Sequence, residues 1–159
     1  RKSKVKVSIL TEKKPMGTAG SLSLLPPDIS SPITVINGDV ISEIDLDALS
    51  NFHIENNNAI TLCAATYKIK IPFGVISFNE DNEYKGMEEK PVINKYILSG
   101  IYSLEKDILH LINKRNFSMP DLIIKADSLG KKIGIFPIYE SWKDLGSIKE
   151  LNLAKKNAN

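Results

Sequence analysis

Residues 33–36 read Ile-Thr-Val-Ile, a short run rich in β-branched side chains with no polar alternation, and it stops abruptly on Asn37-Gly38-Asp39. A strand with one wet face alternates apolar and polar residues; a continuous apolar run is the pattern of a strand buried on both faces of a largely parallel sheet. Covering both faces needs helices on both sides, so the run restricts the chain to an α/β architecture. Ala59 to Tyr67 repeats the pattern as a second apolar strand.

Other elements fit around this frame. Val5, Val7 and Ile9 alternate with Lys4, Lys6 and Ser8, which predicts an opening strand. A short helical stretch after Gly17-Thr18-Ala19-Gly20 ends at Pro26-Pro27. Asp45 can cap a helix carrying Leu46, Leu49, Phe52 and His53 on one face, ended by Asn56-Asn57-Asn58. Gly74 to Phe78 is a strand closed by the polar turn Asn79 to Glu83, and strands near Tyr84–Glu88 and Tyr96–Tyr102 follow. A helix is expected from about Glu105 to Asn113, and another is bracketed by Pro120 and Gly130. Lys132 to Ile138 reads as a strand, and Ser147-Ile148-Lys149-Glu150 has capping-box spacing for a last helix. Adjacent strands in the middle imply a mixed sheet.

Composition removes several classes. The 159 residues amount to one domain or a large part of one, with 42% hydrophobic and 25% charged residues, enough apolar material for a real core. A net charge of +2 without a long basic run gives no footprint for nucleic acid. The one cluster, Arg1, Lys2, Lys4 and Lys6, reads as a solvated strand edge. Cys63 is the single cysteine, which excludes an intramolecular disulfide framework and fits a reducing cytoplasm. With two histidines as well, the chain lacks the ligands of a structural zinc site. No run approaches the roughly 20 apolar residues of a membrane span.

Chemistry is expected beyond the carboxyl ends of the strands. Asn37-Gly38-Asp39 delivers a carboxylate at such an exit, where Asp39 either turns the chain or serves a ligand. Trp142-Lys143-Asp144-Leu145-Gly146-Ser147 places a second acid after the last strand, where Asp144 either complements a helix dipole or does the same. Two carboxylates at two strand exits can share one Mg²⁺, which takes one or two carboxylates plus phosphates and water. Gly17 to Gly20 can offer backbone amides to an anion or a flat base, or simply make a tight turn; it is neither a Walker loop nor G-x-G-x-x-G. In Glu88-Glu89-Lys90-Pro91, the proline makes the directions of Glu89 and Lys90 reproducible. Phe73-Gly74-Val75 and Ser99-Gly100-Ile101-Tyr102 each put a glycine in a strand, a sign of a bulge or a close approach to the backbone. His53 and His110 read as packing or surface residues, and Cys63 as a buried hydrophobe.

Taken in order, Pro15-Met16-Gly17-Thr18-Ala19-Gly20, Asn37-Gly38-Asp39, Phe73-Gly74-Val75, Glu89-Lys90-Pro91, Ser99-Gly100-Ile101-Tyr102 and Trp142 to Ser147 resemble the sugar-1-phosphate nucleotidyltransferases, most nearly the branch that makes GDP-sugars such as GDP-mannose. The resemblance runs from about Val5 to Ala154. It implies a Rossmann-like, three-layer α/β domain with a mixed, mostly parallel sheet. It also implies attack of a sugar-1-phosphate on the α-phosphate of a nucleoside triphosphate, with Mg²⁺ as cofactor. Pro15, Gly17, Thr18 and Gly38 would then bind nucleotide. Gly74, Glu89 and Gly100 would face the sugar and Lys90 its phosphate, while Asp39 and Asp144 would hold the metal. The departure is the family's arginine-bearing glycine-rich loop and following Pro-Lys, which nothing here matches. Residues 1–159 are therefore expected to be a partial, N-terminally truncated domain, inactive alone, with an open sheet edge that favours a homo-oligomer. A silent regulatory subunit of the same fold is the alternative to an enzyme; retention of Asp39, Lys90 and Asp144 favours the enzyme.

Overall fold

The structure is a computed structural model that describes residues 6–113 and 116–146. Its centre is a four-stranded mixed sheet in the order β1 (Ile33–Ile36), β6 (Val92–Leu104), β3 (Ile60–Lys70), β7 (Ile133–Pro137). β6 runs antiparallel to both β1 and β3, and β7 pairs parallel with β3. Three of the four strands therefore share a direction, and the long β6 is inserted against them. Two antiparallel ribbons complete the strands: β2 (Val40–Ser42) with β8 (Trp142–Asp144), and the hairpin of β4 (Gly74–Phe78) and β5 (Tyr84–Glu89).

Helices cover both faces, which makes the three layers. Ile60 and Leu62 of β3 and Tyr102 and Leu104 of β6 pack on α3 (Met119–Ser128) through Met119, Leu122 and Ala126, with Ala19 of the four-residue α1 (Gly17–Gly20). On the opposite face Cys63 and Ile101 meet Leu49 of α2 (Leu46–Glu55). Strict alternation along β3 feeds both layers, so its first six residues are all buried. Both long helices start where side chains satisfy free amides. Asp45 accepts from Asp47 N and Ala48 N, and Ser118 and Asp121 form a reciprocal capping box.

Several expectations change. Residues 6–10 form no strand, and Val7 and Ile9 stay exposed, because no neighbouring edge pairs with them among the described residues. β1 is an edge strand with Thr34 and Ile36 exposed, rather than one buried on both faces. The stretch after Glu105 is a 3₁₀ segment at Lys106–Leu111, not an α-helix. The expected helix from Ser147 lies outside the described residues. The hairpin of β4 and β5 has both strands open to solvent, with Ile76, Phe78, Tyr84 and Met87 exposed. No helix among the described residues is long and apolar enough to cross a membrane.

Candidate active site

The end of β1 and the ribbon of β2 and β8 build the centre of the site. Asn37 starts a turn in which Val40 N–H donates to Asn37 O at 3.2 Å. β2 then pairs with β8, Val40 opposite Asp144 and Ser42 opposite Trp142. Leu145 N–H donates to Asp39 O at 2.8 Å, so the two strand exits are stitched to each other just past the ladder. Asp39 and Asp144 are exposed, and they face one point. A Cβ added at Gly146 would lie 2.9 Å from Asp144 Oδ1 and 3.5 Å from Asp39 Oδ2. Gly146 N–H donates to Asp144 Oδ1 at 2.7 Å. Any side chain at 146 would occupy the space between the carboxylates.

No third His, Cys, Asp or Glu gathers with them into a metal-holding group among the described residues. Two exposed carboxylates brought to one point fit Mg²⁺, whose remaining positions go to phosphate oxygens and water. A cleft of about 570 Å³ adjoins Asp39, lined also by Thr18, Ser21, Leu22, Val35, Asn37 and Gly38 among others. Its volume lies within the usual range for small-molecule sites. Gly38 has open space where a Cβ would go.

Gly100 belongs to this centre. It has φ +77, and the ladder between β3 and β6 shifts register beside it. Its carbonyl accepts from Asn37 N at 2.9 Å, and a Cβ would meet Asn37 Nδ2 at 2.8 Å. The strand glycine therefore marks both a bulge and a close approach.

Gly74, Glu89 and Lys90 form a second group, on the hairpin. Gly74 lies opposite Glu89, and a Cβ at 74 would sit 3.0 Å from Glu89 Oε2. Lys90 has φ +49, a left-handed conformation uncommon for a lysine, and its N–H donates to Phe73 O at 3.2 Å. Such a conformation costs of order 1–3 kcal/mol and persists only where surroundings fix it. Lys90 Nζ lies 3.7 Å from Glu89 Oε1, and both side chains are exposed. Its described ion pair is thus with its neighbour and not with either aspartate.

The glycine segment at residues 17–20 has structural partners. The amides of Ala19 and Gly20 both donate to Phe117 O at 3.0 Å, and Met119 N–H donates to Thr18 Oγ1 at 2.8 Å. A Cβ at Gly17 would collide with Asn116 Oδ1 and Phe117 O, each at 2.6 Å. Those two amides are not free for an anion, and α1 is one short turn. Thr18 still lines the cleft, and Pro15 is exposed.

Cys63 and His53 read as packing. Cys63 is fully buried, and burial pushes its thiol up to about 12, which leaves no thiolate to act. His53 is buried, with Nδ1 2.8 Å from Thr61 Oγ1 and Nε2 3.3 Å from Glu105 Oε1. Sequence reasoning gave no role to Asn37, Ser99, Trp142 or Gly146. Each sits inside a motif already noticed, but a partner some 40 to 60 residues away, or a void, is not visible in a linear pattern.

A family model described as Nucleotidyl transferase matches residues 1–159. A mannose-1-phosphate guanyltransferase of Pichia angusta is 31% identical over 98% of this chain and 47% of its own length. The chain thus spans about half the length of the curated relatives it matches. Among solved structures, HddC from Yersinia pseudotuberculosis aligns with TM-score 0.68 at 21% identity, covering 99% of this chain and 69% of that one. The inositol-1-phosphate CTP transferase from T. maritima aligns with TM-score 0.62 at 18% identity, covering 92% and 62%. At those identities the structural likeness speaks for the fold.

Proposed function

Because the chain belongs to the nucleotidyl transferase family, we propose that the complete polypeptide carrying it transfers a nucleotidyl group from a nucleoside triphosphate, GTP by preference, to a sugar-1-phosphate. The observation that carries the reading is the approach of the Asp39 and Asp144 carboxylates to one point at Gly146, with Asp39 also lining a cleft of small-molecule size. The relatives' names, mannose-1-phosphate guanyltransferase among them, supply the substrate class.

In the proposed reaction an oxygen of the sugar-1-phosphate attacks the α-phosphorus. The bond from that phosphorus to the oxygen bridging the β-phosphate breaks, and pyrophosphate leaves with the electron pair. Thr18 and Gly38 line the nucleotide side, where the bare Cα of Gly38 admits close approach. Pro15 and Gly17 support the base. Gly74, Glu89 and Gly100 face the sugar, and Lys90 holds the phosphate of the attacking group. Asp39 and Asp144 would hold Mg²⁺, which when bound neutralises charge on the phosphates. The chain does no covalent work; holding both phosphates in line and offsetting their charge is its contribution.

The test is pyrophosphate release from GTP and mannose-1-phosphate by the complete polypeptide, with Asp39→Asn and Asp144→Asn alongside. An amide keeps the shape and removes the charge. Each variant is expected to lose at least about 100-fold in rate while its melting temperature stays close to wild type. Near-normal turnover in either variant at saturating Mg²⁺ returns that aspartate to a turn-forming role. Tight binding of both substrates without turnover by the wild type supports a regulatory subunit instead.

A further inference from the structure

We propose that Trp142 is a positioning residue, tying the Gly100 peptide to the strand that ends in Asp144. The idea rests on the reading above, in which Gly100 faces the sugar. The indole Nε1–H donates to Ser99 O at 2.8 Å. Ser99 is buried, and its hydroxyl accepts from Ile101 N at 3.3 Å. One peptide further on, Gly100 O accepts from Asn37 N at 2.9 Å. The two peptide units that flank the Gly100 Cα are thus each held, one by Trp142 and the other by Asn37.

The two holders stand at equivalent places. Asp144 follows Trp142 by two residues, and Asp39 follows Asn37 by two. Ser42 pairs with Trp142 and Val40 with Asp144, so β2 and β8 are rigidly registered over this interval. One network therefore fixes the bulge in β6 relative to both carboxylates. The indole packs against the cluster of Leu49, Cys63, Ile101 and Ile138, which holds its ring in place. Packing alone would be met by any large apolar ring. The directed N–H to the carbonyl of a buried strand residue is what a phenyl ring cannot replace, and removing one partner of a buried hydrogen bond costs the other its satisfaction.

The test is Trp142→Phe in the complete polypeptide, read by separate Michaelis constants for sugar-1-phosphate and nucleotide, by melting temperature, and by exchange of the Asn37 amide hydrogen. The KM for sugar-1-phosphate is expected to rise roughly tenfold, with the KM for nucleotide within about twofold and Asn37 exchange faster. Equal change in both Michaelis constants, change in neither, or loss of activity that simply follows the unfolded fraction overturns the proposal. Should the Phe variant not fold, replacing Trp142 by benzothienylalanine keeps the ring shape and removes the donor; the same split is expected. A wild type without turnover defeats the functional reading, and the Asn37 exchange rate then decides separately whether the tie exists.

Discussion

Gly146→Ala tests the site where its two carboxylates meet. The added methyl would lie 2.9 Å from Asp144 Oδ1 and 3.5 Å from Asp39 Oδ2, and the first distance is too short for a carbon against a carboxylate oxygen. Asp144 must turn away by several tenths of an ångström, weakening the 2.7 Å bond it accepts from Gly146 N–H. Functional groups tolerate about 0.5 Å of misplacement, and loss of an outer support typically weakens a metal site 10–100-fold, about 1.4–2.8 kcal/mol. The fold should barely notice. Asp144 is exposed and can rotate into solvent, and a glycine-to-alanine change at an unstrained position shifts stability by less than about 1 kcal/mol. The assay is a Mg²⁺ titration of pyrophosphate release in the complete polypeptide, paired with Mn²⁺ binding followed by water proton relaxation. Half-saturation should move up 10–100-fold in both, with a melting temperature within about 4 °C of wild type. An unchanged metal requirement would show that the two carboxylates do not act together.

If Lys90 holds the sugar phosphate as proposed, Lys90→Ala removes a charge-assisted contact worth about 1.5–3 kcal/mol, and the KM for sugar-1-phosphate should rise tenfold to a hundredfold while that for nucleotide stays put; parallel changes in both would detach Lys90 from the sugar phosphate. Folded protein at about pH 8.5 should resist alkylation of Cys63 by iodoacetamide until urea is added, since burial holds the thiol near 12. Because that thiol is raised above its ordinary 9.0, its contribution to stability is complete below 9.0 and is lost as pH rises toward 12; flat stability over that window would contradict it. The Ser118 side chain, then its backbone amide, hold the Asp121 carboxyl below 3.8, so the stability this pair adds is present above 3.8 and is lost as pH falls through the lowered value. Ser118→Ala should cost about 1 kcal/mol near neutral pH in urea melts and blunt the acid loss; an unaltered acid limb would refute the link.

What the residues determine alone is local. Asp45 and Ser118 start their helices because a side-chain oxygen two or three residues ahead of free amides satisfies them whatever else surrounds it. β3 declares itself because both of its faces must be apolar, and Asn37-Gly38-Asp39 declares a strand exit because a charge cannot continue such a run. The tertiary structure decided everything that depends on a partner. Residues 6–10 alternate like a strand but find no edge to pair with among the described residues, and a strand without a ladder is only extended chain. Ile33–Ile36 carries the composition of a central strand and lies at an edge, since composition records burial against helices and not the number of neighbours. The amides of Ala19 and Gly20 look free in the sequence and are taken by Phe117, almost a hundred residues on. The meeting of Asp39 with Asp144 at Gly146 likewise needs the register of β2 on β8, which hydrogen bonds between distant segments fix and no local pattern encodes.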